Sequence, residues 1–243
     1  MCTIGAKISR KLTLFKNCDL IEDSNFYKPK IKKGIYKYIA FTREGRPGLY
    51  AGINQFGLGI VTADTYTKKI YKAKPHTIYN IFKGYEKTIA DYRNVDEGIN
   101  FLKKYYTSKI NVPDLIILGD KEKIAVLEFI PKKKFGIKII KKGNILRTNQ
   151  FKILNGGKNK NEDLESYTRY NNALKIINKN CSFIKLLKDH HNGPSKFSIC
   201  RHGKKGEYKS RASVIMVAGK KIKAYYIINN YPCKDLYRKV ELG

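Results

Sequence analysis

Tryptophan is absent from the 243-residue chain, and acidic residues are scarce: 20 Asp and Glu stand against 50 Lys and Arg, for a formal net charge of +30. A field of that sign attracts anions, nucleic acid among them. The excess is dispersed, with local clusters at 28–33, 132–142 and 204–205, and it forms no single basic arm. Most of it is lysine, which lacks the planar fork that arginine offers to phosphates and base edges. Dispersed lysine beside abundant Ile, Asn and Tyr fits a compositional bias of the source genome or a hot habitat. A non-catalytic polyanion- or RNA-binding protein is therefore the lesser of two functional readings.

Other absences narrow the class further. No stretch approaches the roughly 18 apolar residues of a membrane span, and the N-terminus has no apolar signal-peptide core, so a cytoplasmic protein with no membrane partner is expected. The five cysteines (Cys2, Cys18, Cys181, Cys200, Cys233) include no CxxC pair and are odd in number. That argues against a disulfide framework or a sulfur-rich zinc site. His190, His191, Cys200 and His202 cluster in sequence, but their spacings match no established zinc pattern. Solvent-facing or hydrogen-bonded roles are expected for them, with no metal and no cofactor. Neither GxGxxG nor GxxxxGK[ST] occurs, so no phosphate-binding fingerprint is present. No Pro/Gly/Ser-rich linker and no internal repeat divides the chain, and 42% hydrophobic content is ordinary for a globular protein. One domain over 1–243 is expected; a homo-oligomer is left open.

What is present reads as strands, two helices, strands, two helices and strands. A hairpin is expected from 2–8 and 11–15 around Ser9-Arg10, followed by strands at 36–42, 48–54 and 58–63. Helices are expected at 77–89 and, from an Asn94 cap, at 95–105. Strands at 114–118, 124–129, 135–140 and 144–148 precede helices at 164–177 and 183–189. Strands at 197–200, 212–217 and 222–228 close the chain. The pattern is α+β, with helix layers outside packed sheets.

Cys2 is the residue with the most chemistry in reach. Removal of Met1 would leave a thiol nucleophile and an α-amine, of unperturbed pKa near ~8, on one residue. The competing reading is a buried, inert thiol on the first strand.

Several segments follow Met1-Cys2-Thr3 in a telling order: Phe15-Lys-Asn-Cys-Asp19, Gly52-Ile-Asn-Gln-Phe-Gly-Leu58, Thr148-Asn149, Ser166-Tyr-Thr-Arg-Tyr170, Asp189-His190, Ser198-Ile-Cys-Arg-His202 and Tyr231-Pro-Cys233. The arrangement resembles the N-terminal-nucleophile hydrolases. It is most similar to the acyl-coenzyme A:6-aminopenicillanate acyltransferases and the related choloylglycine (bile salt) hydrolases. The resemblance implies a four-layer αββα sandwich of mainly antiparallel sheets, and hydrolysis or acyl transfer at a linear, non-peptide C–N amide. The implied partner is a small-molecule amide, anionic if the positive field serves it.

On that resemblance Cys2 attacks the carbonyl to form a thioester, with its own α-amine moving the proton. Asp19, otherwise a turn residue, corresponds to the aspartate that orients the amine, and Asn17 shares its face of an extended segment. Asn149, otherwise a loop asparagine, corresponds to an oxyanion donor. Arg169, otherwise a solvated helix arginine, corresponds to the arginine near the nucleophile that would lower the thiol pKa. Two departures stand out. Lys16 occupies the place of an arginine before Asn-x-Asp, and Asp64 stands where bile salt hydrolases place an oxyanion-hole asparagine. Asp64 could donate its backbone N–H, bind the substrate's amine, or hold Arg169. The 198–202 segment is expected to support the site structurally.

Overall fold

The computed structural model describes residues 2–243 except 22–23, 66, 68–70, 133–134, 155–159, 180 and 192, with 160–163 described by backbone alone. Met1, whose removal is an expectation of the sequence reading, lies outside the described residues.

Strands β1 (Cys2–Ile8) and β2 (Leu12–Leu20) form a hairpin where one was expected, but Ile8 pairs with Leu12, so the turn is Ser9-Arg10-Lys11, with Ser9 N bonded to Lys11 O at 3.3 Å, and the second strand runs on to Leu20. Next come β3 (Lys30–Lys33), β4 (Lys37–Phe41), β5 (Ala51–Asn54) and β6 (Gly59–Ala63). Helices α1 (Thr77–Asp91) and α2 (Val95–Lys109) lead into β7 (Asp114–Gly119), β8 (Ile124–Phe129), β9 (Gly136–Ile140) and β10 (Gly143–Arg147). After α3 (Lys160–Asn178) and α4 (Phe183–Leu187) come β11 (Lys209–Ala218), β12 (Ile222–Ile228), a short 3-10 turn at Pro232–Lys234 and β13 (Arg238–Leu242).

The strands make a six-stranded sheet in the order β10-β1-β2-β11-β12-β13 and a seven-stranded sheet in the order β3-β4-β5-β6-β7-β8-β9, with neighbours antiparallel. Alternation along each strand sends side chains to two faces. One face of each sheet packs against the other through Ile4, Leu14, Ile39, Ile53, Ile117 and Val126. The outer face of the seven-stranded sheet packs on α1 and α2 through Ile60, Leu118, Ile89 and Leu102. The outer face of the six-stranded sheet packs on α3 and α4 through Phe15, Leu146, Ala173 and Leu187. The result is the αββα α+β sandwich. No helix among the described residues is long and apolar enough to cross a membrane.

Local chemistry explains several boundaries. Asn94 caps α2 by accepting from Glu97 N at 3.0 Å, while Glu97 Oε2 accepts from Arg93 N at 2.7 Å. The Gly52–Leu58 motif is a turn device. Asn54 Oδ1 accepts from Phe56 N and Leu58 N, each at 3.1 Å, and its Nδ2 donates to Ile89 O and Tyr92 O at the end of α1. Gly57, at φ 90°, supplies the left-handed residue this turn requires.

The strand expected at 197–200 is not formed. Ser198 N bonds to Ser195 O and Cys200 N to Asp189 O, while Ser198 Oγ donates to Gly193 O at 2.7 Å, so the serines fold the segment onto itself. β3 and β13 had no apolar run to announce them; both are sheet edges, where lysine blunts pairing with other chains.

Candidate active site

Cys2 begins β1 and is 3% exposed. The hairpin register sets it directly opposite Cys18 on β2, so both thiols lie on the face between the sheets, in the same core as Ile4 and Leu14. Lys16, two residues before Cys18, shares that face. Its ammonium is buried and donates to Thr62 O at 2.7 Å and to Tyr50 O at 3.4 Å on the opposing sheet. Burial alone would push the Cys2 thiol up. A hydrogen bond from the Cys18 thiol, the Lys16 ammonium and, in the chain that still carries it, the ammonium of Met1 outweigh it and bring Cys2 down to about 6. Cys18 moves the other way, well above its ordinary value, because it keeps its proton to donate to Cys2 and is itself buried.

Arg169 and Asn149 converge on the backbone of Cys2. Arg169 Nη1 donates to Cys2 O at 2.9 Å and to Thr3 Oγ1 at 3.1 Å, and Nη2 donates to Asn149 Oδ1 at 2.8 Å. Asn149 Oδ1 also accepts from Cys2 N at 3.4 Å, and Nδ2 donates to Asp64 O at 2.6 Å. The Asn149 backbone is fixed in turn by Ser166 Oγ of α3, which accepts from Asn149 N at 3.0 Å and donates to Thr148 Oγ1 at 2.7 Å. Arg169 and Asn149 are fully buried, so their orientation is set by these bonds and not by solvent.

Asp64 follows β6 and is exposed as a whole residue, with its carboxylate crowded by protein on one side. That crowding opposes ionisation. The terminal ammonium and the cations of Lys16, Arg43 and Arg46 outweigh it and hold the carboxyl below its ordinary range.

Asn17 and Asp19 occupy the other face of β2. Asn17 Nδ2 donates to Leu187 O at 2.9 Å and Ile199 O at 3.0 Å, which ties the strand to α4 and to the 198–202 segment. Asp19 Oδ1 accepts from Ser210 Oγ at 2.7 Å, and Ser210 Oγ accepts from Arg201 N at 2.9 Å. In the strand register Asp19 lies one residue past Cys18, the partner of Cys2. The Ser198–His202 segment is thus built into the support of β2.

A cavity opens on the thiol side, bordered by Cys2, Lys16, Arg43, Asp64 and Asp114, with an apolar wall of Ile78, Ile81 and Phe82. At its far end Asp114 accepts from Tyr85 Oη and Tyr106 Oη, each at 2.5 Å. Burial raises its carboxyl to about 6 against the stabilising effect of those two hydroxyls.

Of the residues singled out in the sequence, Cys2, Asp64, Asn149 and Arg169 meet at one place. Asn17 and Asp19 lie behind it. Cys18 and Arg43 were missed. The expected hairpin did not hold the signal for Cys18: a two-residue turn at Ser9-Arg10 would carry Cys2 opposite Asn17, whereas the observed turn also takes in Lys11, pairs Ile8 with Leu12 and brings Cys2 opposite Cys18.

A family profile described as acyl-coenzyme A:6-aminopenicillanic acid acyl-transferase matches residues 12–230. No curated protein matches significantly by sequence. Among solved structures, a mutant form of the conjugated bile acid hydrolase from Clostridium perfringens is similar with TM-score 0.60 at 14% identity, covering 100% of this chain and 92% of that one. An N-acylethanolamine-hydrolyzing acid amidase ortholog from Caenorhabditis elegans is similar with TM-score 0.59 at 11% identity, covering 88% of this chain and 92% of that one. At these identities the likeness is one of fold.

Proposed function

The chain belongs to the acyl-coenzyme A:6-aminopenicillanic acid acyl-transferase family, and from that premise we propose that it breaks a linear, non-peptide C–N amide through a thioester on Cys2 after Met1 is removed. The observation that carries this reading is the convergence of Arg169 and Asn149 on the backbone of a buried cysteine whose thiol is brought down to about 6. A merely structural cysteine in an apolar core has its thiol pushed up instead.

The chemistry follows from that electrostatic arrangement. With Met1 gone, the ammonium sits on Cys2 itself and stabilises the thiolate as an ion pair. The thiolate attacks the amide carbonyl carbon. Negative charge develops on the carbonyl oxygen, where the second Nδ2 hydrogen of Asn149, the one not engaged by Asp64 O, can be donated. The Cys2 ammonium passes a proton to the leaving nitrogen as the C–N bond breaks, so the substrate's amine departs and a thioester remains beside the now neutral Cys2 α-amine. That amine then takes a proton from water or from an acceptor amine, whose attack releases the acyl group and restores the starting state. Asp19 and its Ser210 bond supply negative charge near the ammonium, and Arg169 keeps Asn149 aimed. Asn17 serves as an anchor of the strand rather than as a substrate contact, because both its amide hydrogens go to backbone carbonyls.

For the substrate, the apolar wall of Ile78, Ile81 and Phe82 suits an acyl chain, and Arg43 suits an anionic group. The test uses intact-mass analysis of purified protein incubated with a panel of N-acyl amides. An acyl adduct on Cys2 of a chain lacking Met1, absent from Cys2→Ala, is the expected result. Turnover by Cys2→Ala, or by protein that still carries Met1, would defeat the free-amine mechanism.

A further inference from the structure

Outside the cavity at Cys2, four side chains with metal-binding chemistry come together from three parts of the chain. His190 lies just beyond α4, Cys200 and His202 belong to the serine-rich segment, and Cys233 sits in the 3-10 turn before β13. Their donor atoms all lie within 4.8 Å of one another. His202 Nε2 is 3.7 Å from Cys200 Sγ and 3.3 Å from Cys233 Sγ. His191, grouped with them in sequence, is exposed and takes no part.

We propose that His190, Cys200, His202 and Cys233 form a Cys2His2 site for one tetrahedral divalent metal ion, with zinc as the natural occupant. With metal–sulfur bonds of about 2.3 Å and metal–nitrogen bonds of about 2.0–2.1 Å, donor atoms of a tetrahedral site stand roughly 3.3–3.8 Å apart. Both distances from His202 Nε2 fall in that range, and the widest separation needs a contraction of only about 1 Å. A second observation points the same way: His190 Nε2 is buried and has no hydrogen-bond partner in the protein. Buried polar atoms without a partner are rare and call for one. The ring of Tyr231 stacks on His202 at 4.0 Å and 8°, which fixes the imidazole plane.

The donor set also selects the ion. Two thiolates neutralise a dication, and mixed sulfur and imidazole ligation suits zinc over magnesium or calcium. Binding releases the two thiol protons to solvent and changes no oxidation state. Four protein ligands leave no open position, so the ion is structural and takes no part in the amide reaction. It would join the 3-10 turn to the segment that holds Asn17 through Ile199 O and Asp19 through Arg201 N and Ser210.

The test takes untagged, full-length protein purified in reducing buffer without chelator, its metal content measured by mass spectrometry. Metal-stripped protein is then titrated with Co²⁺. Zinc near one per chain, and a cobalt spectrum with thiolate charge-transfer and tetrahedral d–d bands, are expected. Cys233→Ser and His190→Ala should each weaken cobalt binding by more than about a hundredfold, since loss of even an outer hydrogen-bond partner costs about 10–100-fold. Cys2→Ala should retain both stoichiometry and spectrum. His190 and Cys233 are only half-buried, and if one variant fails to fold the other decides. A reduced wild-type protein without tetrahedral cobalt bands would overturn the site. So would bands that survive both ligand variants, or a Cys200–Cys233 disulfide that persists in the reducing buffer.

Discussion

The two faces of β2 are made from alternate residues of one strand, yet they do different work. The face toward the second sheet carries Lys16 and Cys18, which pull the Cys2 thiol below its ordinary value. The face toward the helices carries Asn17 and Asp19, whose side chains bond to Leu187 O, Ile199 O and Ser210 Oγ. Both faces are buried, so burial alone does not separate reactive groups from supporting ones. The distinction is in the partners: cations and a thiol beside Cys2, carbonyls and a hydroxyl behind it. Substitutions on the two faces should therefore show up in different measurements.

The largest effect belongs to Cys2, the proposed nucleophile. Cys2→Ala should lower turnover by at least about 10⁴-fold, with no thioester detectable by mass, and should leave the melting temperature nearly unchanged. Asn149→Ala comes next, with kcat reduced by about 10²–10³-fold, the cost of losing one oxyanion donor; an unchanged kcat would remove Asn149 from the chemistry. On the helix side, Asn17→Ala leaves two buried carbonyls without a donor and should cost about 2–3 kcal/mol of stability. In calorimetry this should appear as a melting temperature lower by about 5–10 °C. Turnover per folded molecule should move by less than about tenfold, because the anchor touches no reacting atom. The smallest effect is the most diagnostic of the thiol side. A thiol at about 6 is mostly thiolate at neutral pH, so iodoacetamide should modify Cys2 down to that pH. Cys18→Ala removes a proton donor to the thiolate and Lys16→Met removes a cation. Both raise the thiol pKa, so the labelling midpoint should move to higher pH. A midpoint that stays put in both variants would sever the link between this face and Cys2.

Much of this arrangement was legible in the sequence, for reasons that differ from residue to residue. The hairpin, α1, α2 and most strands follow from periodicity and from caps such as Asn94, which are local properties. The second half of β2 was legible only in part: Asn17 and Asp19 were placed on one face of an extended segment, but the strand was expected to end at Phe15, because Lys16-Asn17-Cys18-Asp19 has no apolar alternation to announce it. It is a strand because the opposing sheet and the helix layer bury both its faces and supply partners for the Lys16 ammonium, the Asn17 amide hydrogens and Asp19 Oδ1. Asn149 and Arg169 stood out only through the order of short motifs behind Cys2; nothing local says that a residue after β10 and one on α3 meet at the chain's first strand. The 197–200 run looked like a strand by composition, but its serines bond to nearby backbone instead. The meeting of His190 with Cys233 is tertiary, and no spacing rule along the chain contains it.

The Ser9–Lys11 turn is the most consequential small feature of the molecule, although it lies roughly 20 Å from the thiol by the rise of the intervening strand. It acts as a parity device. Side chains alternate with a period of two, so one residue added to or taken from the turn would slip the register and rotate Cys2 relative to Cys18 and Lys16. Every atom of the nucleophile would survive, on the wrong side of its own sheet. Length changes at this turn are therefore tolerable only if they preserve the pairing of Ile8 with Leu12, which makes an exposed loop with no chemistry of its own the ruler against which the nucleophile is set.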